Sequence, residues 1–318
     1  MSRTAFRADT GAGELVGHRT GTGPRVLLLH GGPGLSGDYL AGLVEQLAGD
    51  YEVATFQQRG LPPSTTEGPF TVARAVADVA AVLQGLGWER PLLLGHSWGG
   101  HLALHLAVAL RDAFSGILAL DPLGALGDGG LVAFNRALTE RAAPQDRPRV
   151  EELAALPDDE AGEAEQLELL RLIWPGYFAH PSASTPMPDL RISTKAAAGL
   201  WADLLTVMPE LARSLRMVEL PTTLVACAGS PIPHEAVRLT AELVPTGRYE
   251  LLDGVGHFPW LEQHGLVRAA VDRLAGRAWH TCMGPIRECD DRLSDRHATP
   301  TSCRRRRLWR ECARVPIG

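Results

Sequence analysis

The sequence predicts an α/β fold, with a mostly parallel central sheet flanked by helices, from three observations. Runs of near-continuous apolar residues recur at strand length, amphipathic segments separate them, and several of the runs end in glycine-rich turns. With 318 residues, 45% of them hydrophobic, the chain can also bury one full core and still carry a large insertion.

Residues 25–30 (RVLLLH) and 51–56 (YEVATF) have the length and composition of strands, and residues 37–48 between them have helical spacing. Residues 71–86 place Val72, Val76, Val79, Val82, Leu83 and Leu86 three and four apart, the mark of an amphipathic helix. Residues 91–95 form a buried run, 98–110 a helix and 116–120 a further strand. This alternation implies parallel pairing, and sites in such sheets lie at the carboxyl ends of the strands. From 122 to 216 helical, acidic and proline-rich segments replace the strand pattern, which resumes at 222–228 and 249–252. The expected organisation is a core in two parts, 1–121 and 217–276, a helical cap inserted at 122–216, and a tail at 277–318.

The formal net charge is −6. The tail holds ten Arg against five acidic residues, so it carries +5 and the rest of the chain −11. An acidic main domain gives no reason to expect a nucleic acid or an anionic membrane as partner. The first 23 residues lack a basic segment followed by an apolar run, and no stretch reaches the roughly 18 apolar residues of a spanning helix. A soluble, cytoplasmic protein is expected. Cys227 stands apart from Cys282, Cys289, Cys303 and Cys312, which lie in the tail without a close C-x-x-C pair. That spacing, with His280 and His297 between, does not match a zinc site, so the tail is read as disordered and outside the catalytic fold, with no metal or cofactor expected.

Gly95-His96-Ser97-Trp98-Gly99 has the form G-x-S-x-G at the junction of an apolar strand and a helix. A serine there occupies a tight turn whose neighbours must be small, and its hydroxyl stands above the sheet as a nucleophile. His30-Gly31-Gly32-Pro33-Gly34 follows the first run, where backbone N–H groups can approach a carbonyl oxygen. The amides of Gly32, with Gly31 as the alternative, and of Trp98 are the expected oxyanion hole. Of the eleven histidines, His257 in Gly254-Val255-Gly256-His257-Phe258-Pro259-Trp260 alone has the chain order and strand-end position of a general base. His30 and His96 read as structural, and His101, His105, His180, His234 and His264 as solvated or packed.

Together HGGPG, GHSWGG and GVGHFPW resemble the proline iminopeptidase branch of the α/β-hydrolase superfamily, over residues 14–275. The resemblance implies the α/β-hydrolase fold with an inserted helical cap, a Ser-His-acid acyl-enzyme mechanism and hydrolysis of an amide or peptide bond. The branch's D-x-R-G-x-G-x-S segment appears as Gln57-Gln58-Arg59-Gly60-Leu61-Pro62-Pro63-Ser64, without the acid. The triad acid that such enzymes carry after the strand at 222–228 is missing too, because Gly229-Ser230-Pro231-Ile232-Pro233-His234-Glu235 contains no aspartate.

Asp121, at the end of the neighbouring strand 116–120, is the first candidate for that acid; its alternative reading is a turn former before Pro122. Glu235 ranks second and Asp253 third. Trp174-Pro175-Gly176-Tyr177-Phe178 can line an apolar pocket with Trp201, so Trp174, Tyr177 and Gly31 are the expected substrate contacts. A small-molecule or short-peptide substrate is expected. Amide cleavage, ester or lactone hydrolysis of a small acyl substrate, and a non-hydrolytic binding or isomerising protein on the same fold all remain open on sequence.

Overall fold

The computed structural model describes residues 3–156 and 161–283, and eight strands within them form one sheet. They are β1 (Arg3–Asp9), β2 (Glu14–Thr20), β3 (Arg25–Leu29), β4 (Glu52–Phe56), β5 (Leu92–His96), β6 (Gly116–Leu120), β7 (Thr222–Cys227) and β8 (Gly247–Leu252). Their order in space is β1-β2-β4-β3-β5-β6-β7-β8; β2 runs antiparallel to β1 and β4, and the other pairings are parallel. The helices are α1 (Ala41–Leu47), α2 (Val72–Leu86), α3 (Trp98–Ala109), α4 (Leu131–Arg141), α5 (Arg147–Ala154), α6 (Glu163–Ile173), α7 (Thr194–Ser214), α8 (His234–Ala241), α9 (Pro259–Glu262) and α10 (Leu266–Met283).

The central strands are apolar throughout because both faces of the sheet are covered. Leu27, Leu29, Leu93, Ile117, Ala119, Leu224 and Ala226 enter one core with α2, α3, α7 and α8. Val26, Leu28, Leu92, Leu94, Leu118, Leu120 and Val225 enter the other with α1 and α10. Caps fix where the helices begin and end. Thr71 accepts from the Arg74 amide at the start of α2, Gly87 closes that helix at φ +60°, and Ser193 accepts from the Ala196 amide at the start of α7. Leu200, Leu204, Met208 and Leu211 then form the buried stripe of α7.

The connection from β3 turns toward β4, whereas that from β5 turns the other way toward β6. The carboxyl ends of β3 and β5 therefore flank a topological switch point, the crevice where open α/β sheets bind ligands. Between β6 and β7 the chain carries α4, α5, α6 and α7.

Two features depart from the sequence reading. The first 23 residues contain the β1–β2 hairpin, although they read as polar and glycine-rich. As the outer pair of the sheet these strands bury Ala8, Leu15 and Val16 and leave charged residues exposed, which weakens the apolar signal. The boundary placed after Gly276 also falls inside α10, which continues to Met283. Val267, Ala270, Val271, Leu274 and Ala278 form one buried stripe, and Gly276 sits on the open side of the helix, where it does not end it. Arg277 donates to Thr223 Oγ1 at 2.9 Å and to the Thr246 carbonyl at 2.7 Å, so it belongs to the folded unit. The rest of the tail, from residue 284, lies outside the described residues. Among the described residues no helix is long and apolar enough to cross a membrane.

Candidate active site

Ser97 stands between β5 and α3 at φ +55°, ψ −121°. Such a conformation is strained for a residue with a side chain, and here close packing enforces it. A Cβ at position 95 would lie 2.0 Å from the Gly99 carbonyl oxygen, and one at position 99 would lie 2.5 Å from that of Leu29. Only glycine fits at either position, which is the physical content of the motif. The Ser97 amide donates to the Leu120 carbonyl at 2.9 Å, anchoring the turn to β6.

Asp121 lies at the end of β6, fully buried and at φ +46°. Its Oδ2 is 2.6 Å from His257 Nδ1 and accepts the Ser230 hydroxyl at 2.5 Å, while its Oδ1 accepts the Cys227 amide at 3.1 Å. Three donors thus hold one carboxylate. His257 itself is 2% exposed, and its amide donates to the Tyr177 carbonyl at 2.7 Å. Since an aspartate facing Nδ1 leaves Nε2 as the free face of the ring, the imidazole is oriented to accept a proton there. Glu235 is exposed on α8, where it pairs with Arg238, and Asp253 is exposed too. Neither contacts His257.

The glycine turn after β3 lies against Ser97: a Cβ on Gly31 would come within 2.7 Å of Ser97 Cβ. Gly31 takes a different part from the one expected of it, because its amide donates to the Tyr39 hydroxyl at 2.5 Å and the residue does not line the cavity described below. Gly32, at φ +58°, and Trp98 do line it.

Tyr39 extends this contact into a chain. Its hydroxyl lies 2.9 Å from His96 Nδ1, and His96 Nε2 lies 2.9 Å from the His257 carbonyl. A carbonyl only accepts, so His96 carries its proton on Nε2 and receives the tyrosine O–H on Nδ1. Burial holds the His96 ring well below the usual histidine range, so it stays neutral. The residue that reads as a flanking histidine therefore ties the glycine turn to the His257 loop. Gln58 makes a second tie, donating to the His30 carbonyl at 2.7 Å and accepting Trp98 Nε1 at 3.0 Å. Arg59 is buried in a bidentate pair with Asp78, both contacts at 2.8 Å.

The α4–α7 insertion is fastened to the same loops. Arg141 on α4 donates to the carbonyls of Gly229 and Ser230 at 2.6 and 3.2 Å, and Glu262 accepts the amides of Gly256 and Ala179 at 2.7 and 2.9 Å. Ser230, Tyr39, Arg141 and Glu262 carry no motif signal; each makes a contact with a residue more than 50 positions away in the chain.

Between the insertion and the sheet lies a cavity of about 100 Å³ bordered by Ser97, His257, Trp98, Phe134, Trp174 and Tyr177, with Trp201 and Leu204 completing the wall. The Trp174 and Phe258 rings stack at 4.7 Å. A more open groove of about 560 Å³, lined by Arg3, His18, Asp38 and Arg191, shares no residue with this cavity.

The sequence model of the alpha/beta hydrolase family matches residues 26–270, most of the chain and all of the residues just described at the site. The chain belongs to the alpha/beta hydrolase family. A proline iminopeptidase of Flavobacterium johnsoniae is 24% identical to this hydrolase over 252 residues, 73% of this chain and 83% of the relative. The crystal structure of a proline iminopeptidase from Mycobacterium smegmatis superposes with a TM-score of 0.62 at 19% identity, covering 87% of this chain and 100% of that one. A thermophilic esterase from Thermogutta terrifontis superposes at 0.60 with 20% identity, covering 87% and 99%. Peptidase and esterase thus share this fold, and the fold alone does not choose between them.

The buried histidines of this hydrolase make its stability depend on pH. Burial pushes the rings of His30 and His101 down to about 4 and that of His105 to about 3. In the unfolded chain each binds a proton near its ordinary value of 6.5, so between about 6.5 and 4 the unfolded state holds more protons and stability falls as pH falls. Calorimetry is expected to give a lower Tm at about pH 5 than at about pH 7.5. An unchanged Tm would show that these rings are hydrated in the native state.

Proposed function

We propose that this hydrolase is a serine enzyme that transfers a small, uncharged acyl group to water. Ser97 is the nucleophile, His257 the general base and acid, and Asp121 the group that orients His257. The observation that carries this reading is the 2.6 Å contact of His257 Nδ1 with the buried Asp121 carboxylate, at the strand edge that bears Ser97.

In the first step Ser97 Oγ attacks the substrate carbonyl while His257 Nε2 takes its proton. The amides of Gly32 and Trp98 donate to the oxygen that becomes negative. His257 then returns the proton to the leaving alcohol or amine, and a water, activated by the same ring, releases the acid from Ser97. Amide and ester cleavage use the same residues and differ in the leaving group that His257 must protonate.

The cavity wall supports the choice of acyl group. Among the described residues that line it there is no Asp, Glu, Lys or Arg, and Phe134, Leu170, Trp174, Trp201, Leu204 and Ile232 make it apolar. A free ammonium placed there would be desolvated without a counter-charge. A second reading, release of an amino-terminal proline, is favoured by the relatives named proline iminopeptidase. The two readings diverge on substrates. 4-Nitrophenyl butyrate is expected to turn over with a kcat/KM at least about 100-fold above that of proline 2-naphthylamide, which has the poorer leaving group and brings an uncompensated charge into the cavity. A prolyl amide hydrolysed as fast as the ester would overturn the neutral-acyl reading and establish the aminopeptidase.

A further inference from the structure

His101 is one of three histidines that line the cavity, with His96 and His257, and the acyl-transfer steps leave it unused. It lies one turn into α3 from Ser97, it is 0% exposed, and it borders the cavity beside Trp98 and Leu123. Its Nδ1 lies 3.1 Å from the Leu123 carbonyl. A carbonyl oxygen can only accept, so the proton of the ring is on Nδ1. Burial keeps the ring neutral at ordinary pH, and Nε2 therefore offers a lone pair and no proton. That Nε2 is buried with no partner among the described residues.

A buried acceptor left unpaired is costly, and the ring that carries this one borders a cavity whose wall is largely apolar. Resting on the serine-hydrolase reading above, we propose that His101 is a substrate-recognition residue whose Nε2 accepts a hydrogen bond from a hydroxyl or amide N–H on the acyl part of the substrate. The preferred substrates are thus uncharged hydroxyacyl or amidoacyl esters and amides. Plain hydrocarbon acyl groups fill the same cavity but leave Nε2 unpaired, and a site built around a polar group discriminates against analogues that lack it.

His105 is the competing partner. Its ring centroid is 5.2 Å from that of His101, and its own Nε2 is also buried and unpaired, so a shared water is the alternative account of both orphans. His105 does not line the cavity, which allows the two accounts to be separated.

The test compares kcat/KM for matched 4-nitrophenyl esters: butyrate against its 2-hydroxy and 3-hydroxy derivatives, and pentanoate against N-acetylglycinate. Wild type is expected to prefer at least one donor-bearing ester over its match by about tenfold. In His101→Phe that ratio falls to about one. His101→Gln, whose amide oxygen can still accept, retains part of the preference, and His105→Phe keeps the wild-type ratio.

Flat ratios in wild type, a ratio that survives His101→Phe, or one that His105→Phe erases equally would overturn the proposal, and the wild-type comparison decides even if a variant fails to fold. Labelling of Ser97 by a fluorophosphonate is measured on the same samples. Turnover and labelling with flat ratios overturn the His101 proposal alone, whereas absence of both overturns the hydrolase reading on which it rests.

Discussion

Replacing Ser97 by alanine is expected to lower kcat by about 10⁶-fold while leaving the melting temperature nearly unchanged. The loss is large because a triad without its nucleophile retains only the contribution of binding and the oxyanion amides. The fold survives because the strained backbone at φ +55° is imposed by Gly95, Gly99 and the bond from the residue-97 amide to Leu120, none of which involves the hydroxyl. Steady-state kinetics on 4-nitrophenyl butyrate, with thermal melting on the same samples, checks both halves. A residual rate within about tenfold of wild type would move the nucleophile elsewhere.

Asp121→Asn is expected to cost about 10⁴-fold in kcat, again without unfolding. Asparagine adopts positive φ more readily than most residues, so the backbone at φ +46° accepts it. It can also keep the bond from the Cys227 amide. Facing His257, however, its N–H group demands an acceptor at Nδ1, which drives the imidazole proton to Nε2 and leaves no lone pair for the proton of Ser97. Glu235→Gln and Asp253→Asn serve as controls and should leave kcat within about twofold, since surface substitutions away from the site perturb little. If Asp121→Asn retained most of the activity, the carboxylate would be a structural anchor for the Cys227 and Ser230 loop and nothing more.

Much of the sheet and part of the site can be read from the chain alone, for a physical reason. Strands covered on both faces must be apolar throughout, and a serine on a sharp turn needs glycine on either side; both demands are local and appear in consecutive residues. Asp121 is legible less directly. As a strand-end carboxylate it stands out only once β6 is placed beside β5, and its partner lies 136 positions further on.

What fails to show is contact between distant residues of ordinary type. Ser230 occupies the loop where an aspartate is expected, and its hydroxyl instead donates to Asp121, so the loop still serves the carboxylate by other chemistry. Tyr39 and His96 are joined across 57 positions, and Arg141 reaches Gly229 across 88. No periodicity encodes such pairs. The hairpin at the sheet edge is hidden for the opposite reason, because a strand pair that buries few side chains has little apolar pattern to reveal.

In the proposed mechanism Ser97, His257 and Asp121 act as one nucleophilic unit. Mass spectrometry after reaction with a fluorophosphonate tests it most directly. One adduct on the peptide containing Ser97, lost in Ser97→Ala and formed far more slowly in His257→Ala and Asp121→Asn, is the predicted result. A folded wild type that forms no adduct, or an adduct that persists in Ser97→Ala, would contradict it.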